Sequence, residues 1–259
     1  MLSAGMAGLC DDDTTHRGGV GYSLSGFEAT STRVSVVIPT FNGSEFIAET
    51  LGSVCDELCD GDELIIVDDC SSDDTCDIAQ NYLQQSCVTH WSLLVTPKNQ
   101  GPPSARNVGI RSASGEVIMS VDQDDHWVTG HRQALVEALS TSDMASGRAH
   151  FELADGADAS SGTRWWRDRW LEEPQQLCEF GASAIWRRCF EQIGLLDESF
   201  RFGGDDVEWF ARAQSAGLTR REISEVVLAR RIHNNNLSGR PELRQELLDV
   251  VRHHLKRNG

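Results

Sequence analysis

The stretch Val34-Ser35-Val36-Val37-Ile38-Pro39-Thr40-Phe41-Asn42 decides the fold. Its β-branched run reads as a buried strand that Pro39 stops, because proline has no N–H to give a sheet ladder. Ser44 then stands where an N-cap belongs, ahead of Phe46, Ile47, Thr50, Leu51 and Val54 at helical spacing, so a helix to about Cys55 is expected. Leu64-Ile65-Ile66-Val67 is a second strand running into Asp68-Asp69, and Ser72 or Asp73 starts a helix that turns Ile78, Ala79, Tyr82 and Leu83 inward. Trp91–Val95 and Glu116–Val121 read as two more strands, with a helix over Ser104–Ser112 between them. Short apolar strands alternating with helices imply strand–helix–strand units and a mostly parallel sheet.

Beyond residue 127 the pattern loosens. Helices are expected at His131–Leu139, Asp205–Ala216 and Glu242–Lys256, and strands at Met144–Phe151, Ala182–Trp186 and Ile223–Ile232. Residues 154–163 form a Gly/Ala/Ser/Asp loop, followed by Trp165-Trp166-Arg167-Asp168-Arg169-Trp170. That segment suits sugar stacking, rest on a membrane surface, or packing into the second lobe; it is assigned to the acceptor-side lobe. Residues 1–32 read as a flexible arm, and 33–259 as one domain with halves 33–127 and 128–259.

Composition removes several function classes. With 259 residues, 23 Lys+Arg, 40 Asp+Glu and a net charge of −17, the chain lacks the basic surface that grips phosphate backbones. Nucleic acid is not an expected partner. No run reaches the ~18 apolar residues of a membrane span, although peripheral contact with a membrane stays open. The eight cysteines form no C-x-x-C pair, and the first 32 residues do not resemble a secretory leader, so a reduced, cytoplasmic protein is expected.

Chemistry gathers at the carboxyl ends of the early strands, where open α/β sheets bind ligands. Asp122-Gln123-Asp124-Asp125 follows the fourth strand. Carboxylates this close repel one another, and a divalent cation completed by substrate phosphates resolves the repulsion; oxygen ligands favour Mg²⁺ or Mn²⁺. A solvated acidic turn is the competing reading. Pro39, Thr40 and Phe41 offer backbone groups and an aromatic face to a nucleobase, Asp69 an acceptor for a base N–H, and Arg106 a cation for base or phosphate. Each also has a structural reading: core residue, loop acid and surface cation.

Taken together, Val34–Asn42, Ile65–Thr75, Asn99-Gln100-Gly101 with Ala105–Ile110, and Gly115–Asp125 resemble family 2 glycosyltransferases. The resemblance implies a GT-A, Rossmann-like α/β fold, with a central sheet flanked by helices and a less regular acceptor-side lobe. It places the nucleotide at Phe41, Asp69 and Arg106. It assigns the D-x-D motif for ribose and metal to Asp122 and Asp124, with Asp125 adjacent. Where Cys70 stands the family usually has glycine. Asp205-Asp206 resembles the family's Glu-Asp motif, making Asp206 the expected base; helix capping by acids is the alternative. Arg231-Ile232-His233 with Ser238 resembles its R-x-H…S segment, so His233 stands to ligate metal, touch diphosphate, or face solvent.

The implied activity is inverting, metal-dependent transfer from a nucleoside-diphosphate sugar, with UDP the weighted choice, to a glycan, lipid-linked or other hydroxyl acceptor. Two other readings remain: a nucleotidyltransferase, although no basic Gly-rich loop follows the first strand, and a non-catalytic sugar-nucleotide-binding module.

Overall fold

A computed structural model describes residues 31–154 and 168–258, together with Ala29 and Ala157. Residues 1–28 and 30 of the expected N-terminal arm, the greater part of the 154–163 loop, and Trp165, Trp166 and Arg167 lie outside the described residues. The elements in chain order are β1 (Val34–Thr40), α1 (Ile47–Cys55), β2 (Glu63–Asp68), α2 (Thr75–Gln85), β3 (Trp91–Val95), α3 (Pro102–Ser112) and β4 (Val117–Ser120). Next come β5 (His126–Trp127), α4 (His131–Ala138), β6 (Met144–Leu153), α5 (Asp168–Glu172), β7 (Gln175–Gln176) and β8 (Ser183–Trp186). The chain closes with α6 (Arg187–Ile193), α7 (Asp205–Ser215), β9 (Arg220–Ile232) and α8 (Pro241–Asn258).

One mixed sheet runs β3-β2-β1-β4-β8-β6-β9-β5, with β7 paired to β6. The β3-β2-β1-β4 side is wholly parallel. β8 enters antiparallel to both β4 and β6, and β9 returns parallel to β6. Every residue of β1 is buried, and Val34, Val36, Val37 and Ile38 are fully enclosed. Each such side chain contributes roughly 1.5–3 kcal/mol relative to exposure. α3 packs across β1 and β2, and the contact is close at Gly109: a Cβ there would meet Val37 Cγ1 at 2.3 Å. Glycine lets α3 lie against the strand and carries Arg106 to the strand ends.

Two expectations at the start of the chain are corrected. β1 passes through Pro39 to Thr40. Ser35 and Val37 face β4, so Pro39 does too, but that ladder ends at Val37, where no N–H is required. Ser44 does not cap α1: the N-cap is Phe46, and the N–H groups of Phe46 and Ile47 donate to the Gly43 carbonyl in a tight turn. Similarly α2 begins at Thr75, whose N–H donates to the Asp73 carboxylate. Trp170 does pack inward, against Phe151 with ring centroids 5.1 Å apart. No described helix is long and apolar enough to cross a membrane.

The entry to β1 hangs on a buried ion pair. Asp62 accepts Nε and Nη2 of Arg132 at 2.6 and 3.0 Å, and also the N–H groups of Val34 (2.8 Å) and Cys59 (2.9 Å). Removing one partner strands the other in the interior. Asp62→Ala is expected to lower unfolding free energy by about 3–5 kcal/mol in urea titrations.

Candidate active site

The loops after β1 and β2 are stitched together by side chains. Asn42 N–H donates to Ser71 Oγ (2.8 Å), and Asn42 Oδ1 accepts Ser72 N–H (2.8 Å). Asp68 accepts Ser71 N–H (2.8 Å) and Thr40 Oγ1 (3.2 Å). Both hinge residues, Asn42 (φ 48°) and Cys70 (φ 65°), sit in the left-handed region that glycine adopts without strain. The Cys70 loop therefore has the backbone a glycine would give it.

Phe41, just past the end of β1, is 41% exposed. Its main chain is clamped by Gln123: Phe41 N–H donates to Gln123 Oε1 (2.8 Å) and Gln123 Nε2 to Phe41 O (3.0 Å). A Cβ on Gly43 would lie 2.1 Å from that Oε1, so the side-chain amide fills the space glycine leaves. Pro39 and Thr40 lie beneath as buried strand. Asp69 is also buried, and its carboxylate gathers the loop after β3: it accepts N–H of Gln100 (2.8 Å) and Gly101 (2.6 Å) and the Thr96 hydroxyl (2.8 Å).

Arg106 is 4% exposed and forms the centre. Nη2 donates to Asp122 Oδ1 (2.7 Å), Nη1 to Asp205 Oδ2 (2.8 Å), and Asp206 Oδ1 lies 3.6 Å from Nη1. Its plane lies over the Phe180 ring, 5.4 Å from the centroid. Neighbouring carboxylates hold the guanidinium pKa above its ordinary value despite burial. Asp122 remains 45% exposed toward the cleft. Burial, then repulsion from Asp205, pushes the Asp206 carboxyl well above the usual carboxylate range, and its Oδ1 has no hydrogen-bond partner.

The remaining acids divide by environment. Asp124 Oδ2 lies 2.8 Å from His233 Nε2 and 3.3 Å from Asn236 Nδ2. Phe46 supports this corner, its ring 4.8 Å from that of His233 and 5.0 Å below the Arg231 guanidinium. Asp125 points elsewhere: its buried carboxylate accepts Arg231 N–H from β9 (2.9 Å), and burial raises its pKa. Among the described residues no three acidic, His or Cys side chains converge as a complete metal cage. Asp122, 45% exposed, and Asp124 do supply oxygen donors of the kind a magnesium- or manganese-type ion takes, since such an ion commonly uses one or two carboxylates and leaves the rest of its shell to water and phosphate; His233 stands beside Asp124.

Sequence reading missed three participants. Gln123 stood between two acids without a chemical signature of its own. Glu179 is a buried carboxylate ion-paired with Arg230, with one oxygen unpartnered; burial raises its pKa. Glu246 reaches the loop before Asp205 from α8. Only the amphipathic pattern of α8 hinted at docking, and it did not show where.

The model of the family described as glycosyl transferase family 2 matches residues 35–190. Glycosyltransferase AglE of Haloferax volcanii is 27% identical over 194 residues, covering 71% of this chain and 62% of AglE. The chain spans 38% and 54% of two other curated relatives. Among solved structures, S. aureus TarS 1-349 in complex with UDP-GlcNAc superposes with TM-score 0.67 at 18% identity, covering 86% of this chain and 65% of that one. Mannosyltransferase PcManGT from Pyrobaculum calidifontis, in complex with GDP-Man and Mn²⁺, gives TM-score 0.62 at 20% identity, covering 88% and 64%. These likenesses establish the GT-A fold that the resemblance implied.

Cys70→Gly should leave the melting temperature unchanged or raise it. Relief of a left-handed strain of roughly 1–2 kcal/mol opposes an unfolded-state entropy cost of about 0.4–1 kcal/mol. Scanning calorimetry of the two proteins measures the balance.

Proposed function

Since the chain belongs to glycosyl transferase family 2, we propose that it transfers a sugar from a nucleoside-diphosphate donor, UDP-linked by preference, to an acceptor hydroxyl with inversion. The observation that carries this reading is the single guanidinium of Arg106, which holds Asp122 of the D-x-D motif and the Asp205-Asp206 pair around one point. Donor diphosphate and acceptor hydroxyl must meet at such a junction.

In this scheme the exposed Phe41 ring and the clamped backbone beside it receive the base, and Asp69 holds the neighbouring loop in place. Asp122, Asp124 and His233 would hold Mg²⁺ or Mn²⁺, which when bound supplies charge neutralisation of the departing diphosphate. Asp205 lies against Arg106, with burial pushing its carboxyl pKa up to about 6 against the pull of that cation. Asp206, with an unpartnered oxygen and a raised pKa, is the stronger base of the two and accepts the acceptor's hydroxyl proton. The acceptor oxygen forms its bond to the anomeric carbon as the carbon–oxygen bond to the diphosphate breaks on the opposite face. The likeness to proteins bound to UDP-GlcNAc and to GDP-Man with Mn²⁺ supports a nucleotide-sugar donor. Thermal shifts with UDP- and GDP-sugars, with and without Mn²⁺, test this: a metal-dependent rise with one donor class is expected, and no shift with any donor contradicts it.

The acid pair also carries a stability consequence. Burial and Asp205 raise the pKa of Asp206 on folding, so folding is coupled to proton uptake there. Its contribution is full below the unfolded-state value near 3.9 and is lost as pH rises. Asp206→Asn should therefore raise the melting temperature at pH 8 by about 2–4 °C. At pH 4 the two proteins should melt alike. The same variant should lower transfer by about 10²–10⁴-fold, the usual contribution of a positioned base.

A further inference from the structure

The loop that delivers Asp205 and Asp206 is held from outside the cleft. Glu246, on α8, accepts backbone N–H groups from Arg201 (2.6 Å), Phe202 (2.9 Å) and Gly204 (3.1 Å). These amides precede the first turn of α7, where N–H groups have no partner within the helix. The approach is close: a Cβ on Gly204 would lie 3.0 Å from Glu246 Cβ and 3.0 Å from Phe200 Cδ1. On its other side the loop is tied to the donor half. Arg201 Nη2 donates to Asn99 Oδ1 (3.0 Å), and Arg201 Nε lies against Gly101, whose own N–H is held by Asp69.

We propose that Glu246 is a positioning residue. Its carboxylate fixes the 201–204 loop and thereby the aim of Asp206 at the acceptor hydroxyl, so that docking of α8 completes the site. The inference rests on the assignment of Asp206 as base. A carboxylate is the side chain the task requires. It offers acceptor lone pairs on both oxygens to several donors at once, with the added strength of charge-assisted hydrogen bonds. Glutamine has a single acceptor oxygen and would turn an NH₂ toward N–H donors. The loop would then keep the Asn99–Gly101 side and the Arg106–Asp205 pair but lose its anchor on α8, and a displacement near 1 Å at a reacting group is enough to cost about 100-fold in rate.

Two readouts test this on the full chain: amide hydrogen exchange, and turnover of the nucleotide sugar chosen by the thermal-shift panel, with water as acceptor. In Glu246→Ala, exchange should quicken at residues 201–206 while β1, β2 and β4 stay protected. Turnover (kcat) should fall about 100-fold, with donor KM within about 3-fold. Sodium acetate, a small carboxylate able to re-enter the vacated amides, should restore at least a tenth of the lost rate and slow the exchange; Glu246→Gln should show the loss without the rescue. Unchanged exchange at 201–206, or a joint loss of kcat and donor affinity that acetate does not repair, overturns the proposal. If Glu246→Ala does not fold, Glu246→Asp, one methylene shorter, must show a kcat loss with donor KM preserved, and equal loss of both overturns it. An active Asp206→Asn beside an impaired Glu246→Ala would refute the base assignment while leaving the role of Glu246 in ordering the loop intact.

Discussion

The structure turns on one buried cation. Arg106 reaches from α3 to the carboxyl ends of the strands and pairs with Asp122, just after β4, and with Asp205, at the start of α7. A guanidinium can do this because its donors spread in a fixed planar fork; a lysine ammonium would meet the same carboxylates as a point charge without that geometry. Burying such a cation is costly unless it is paired. The acidic motifs of two distant segments are thus needed by the fold as well as by the site, and the fold brings them to one place.

The same side-chain type then does different work according to its surroundings. Asp205 balances Arg106, while Asp206, one residue on, is left with an unpartnered oxygen and a raised pKa. Asp124 meets an imidazole, Asp125 secures the backbone of β9, and Asp69 organises the loop after β3. Part of the negative charge of this chain is therefore placed: Asp69, Asp124, Asp125 and Asp205 are each set by a specific N–H, hydroxyl, imidazole or cation. Gln123 adds a mechanical link. It lies between Asp122 and Asp124 and clamps the main chain of Phe41, so the acidic turn after β4 and the loop after β1 share one rigid connection.

The first four strands and their helices were legible because local signals agree there: β-branched runs, helical spacing and turn residues all point to the same alternation. Pro39 misled because its cost depends on whether a neighbouring ladder needs its N–H, and that is decided by where β4 ends, more than eighty residues further along the chain. Ser44 misled because the Gly43 carbonyl took the first amides of the turn. Asp122, Asp124, Asp205 and Asp206 could be singled out because a motif marks them, and the structure gathers three of these four, Asp122, Asp205 and Asp206, around Arg106. Gln123, Glu179 and Glu246 carry no motif, and their roles come from long-range contacts that only tertiary structure supplies. The separation of Asp125 from its neighbours likewise depends on the arrival of β9.

Asp122, Asp205 and Asp206 share one electrostatic site around Arg106, and the proposed role of Asp206 as a base depends on that sharing. Carbon-13 NMR titration of the Asp206 carboxyl, in the native chain and in Asp122→Asn, tests it most directly. The midpoint is expected well above the ordinary value of about 3.9 and should move down when the Asp122 charge is removed. A midpoint near that ordinary value, unmoved by Asp122→Asn, would contradict it.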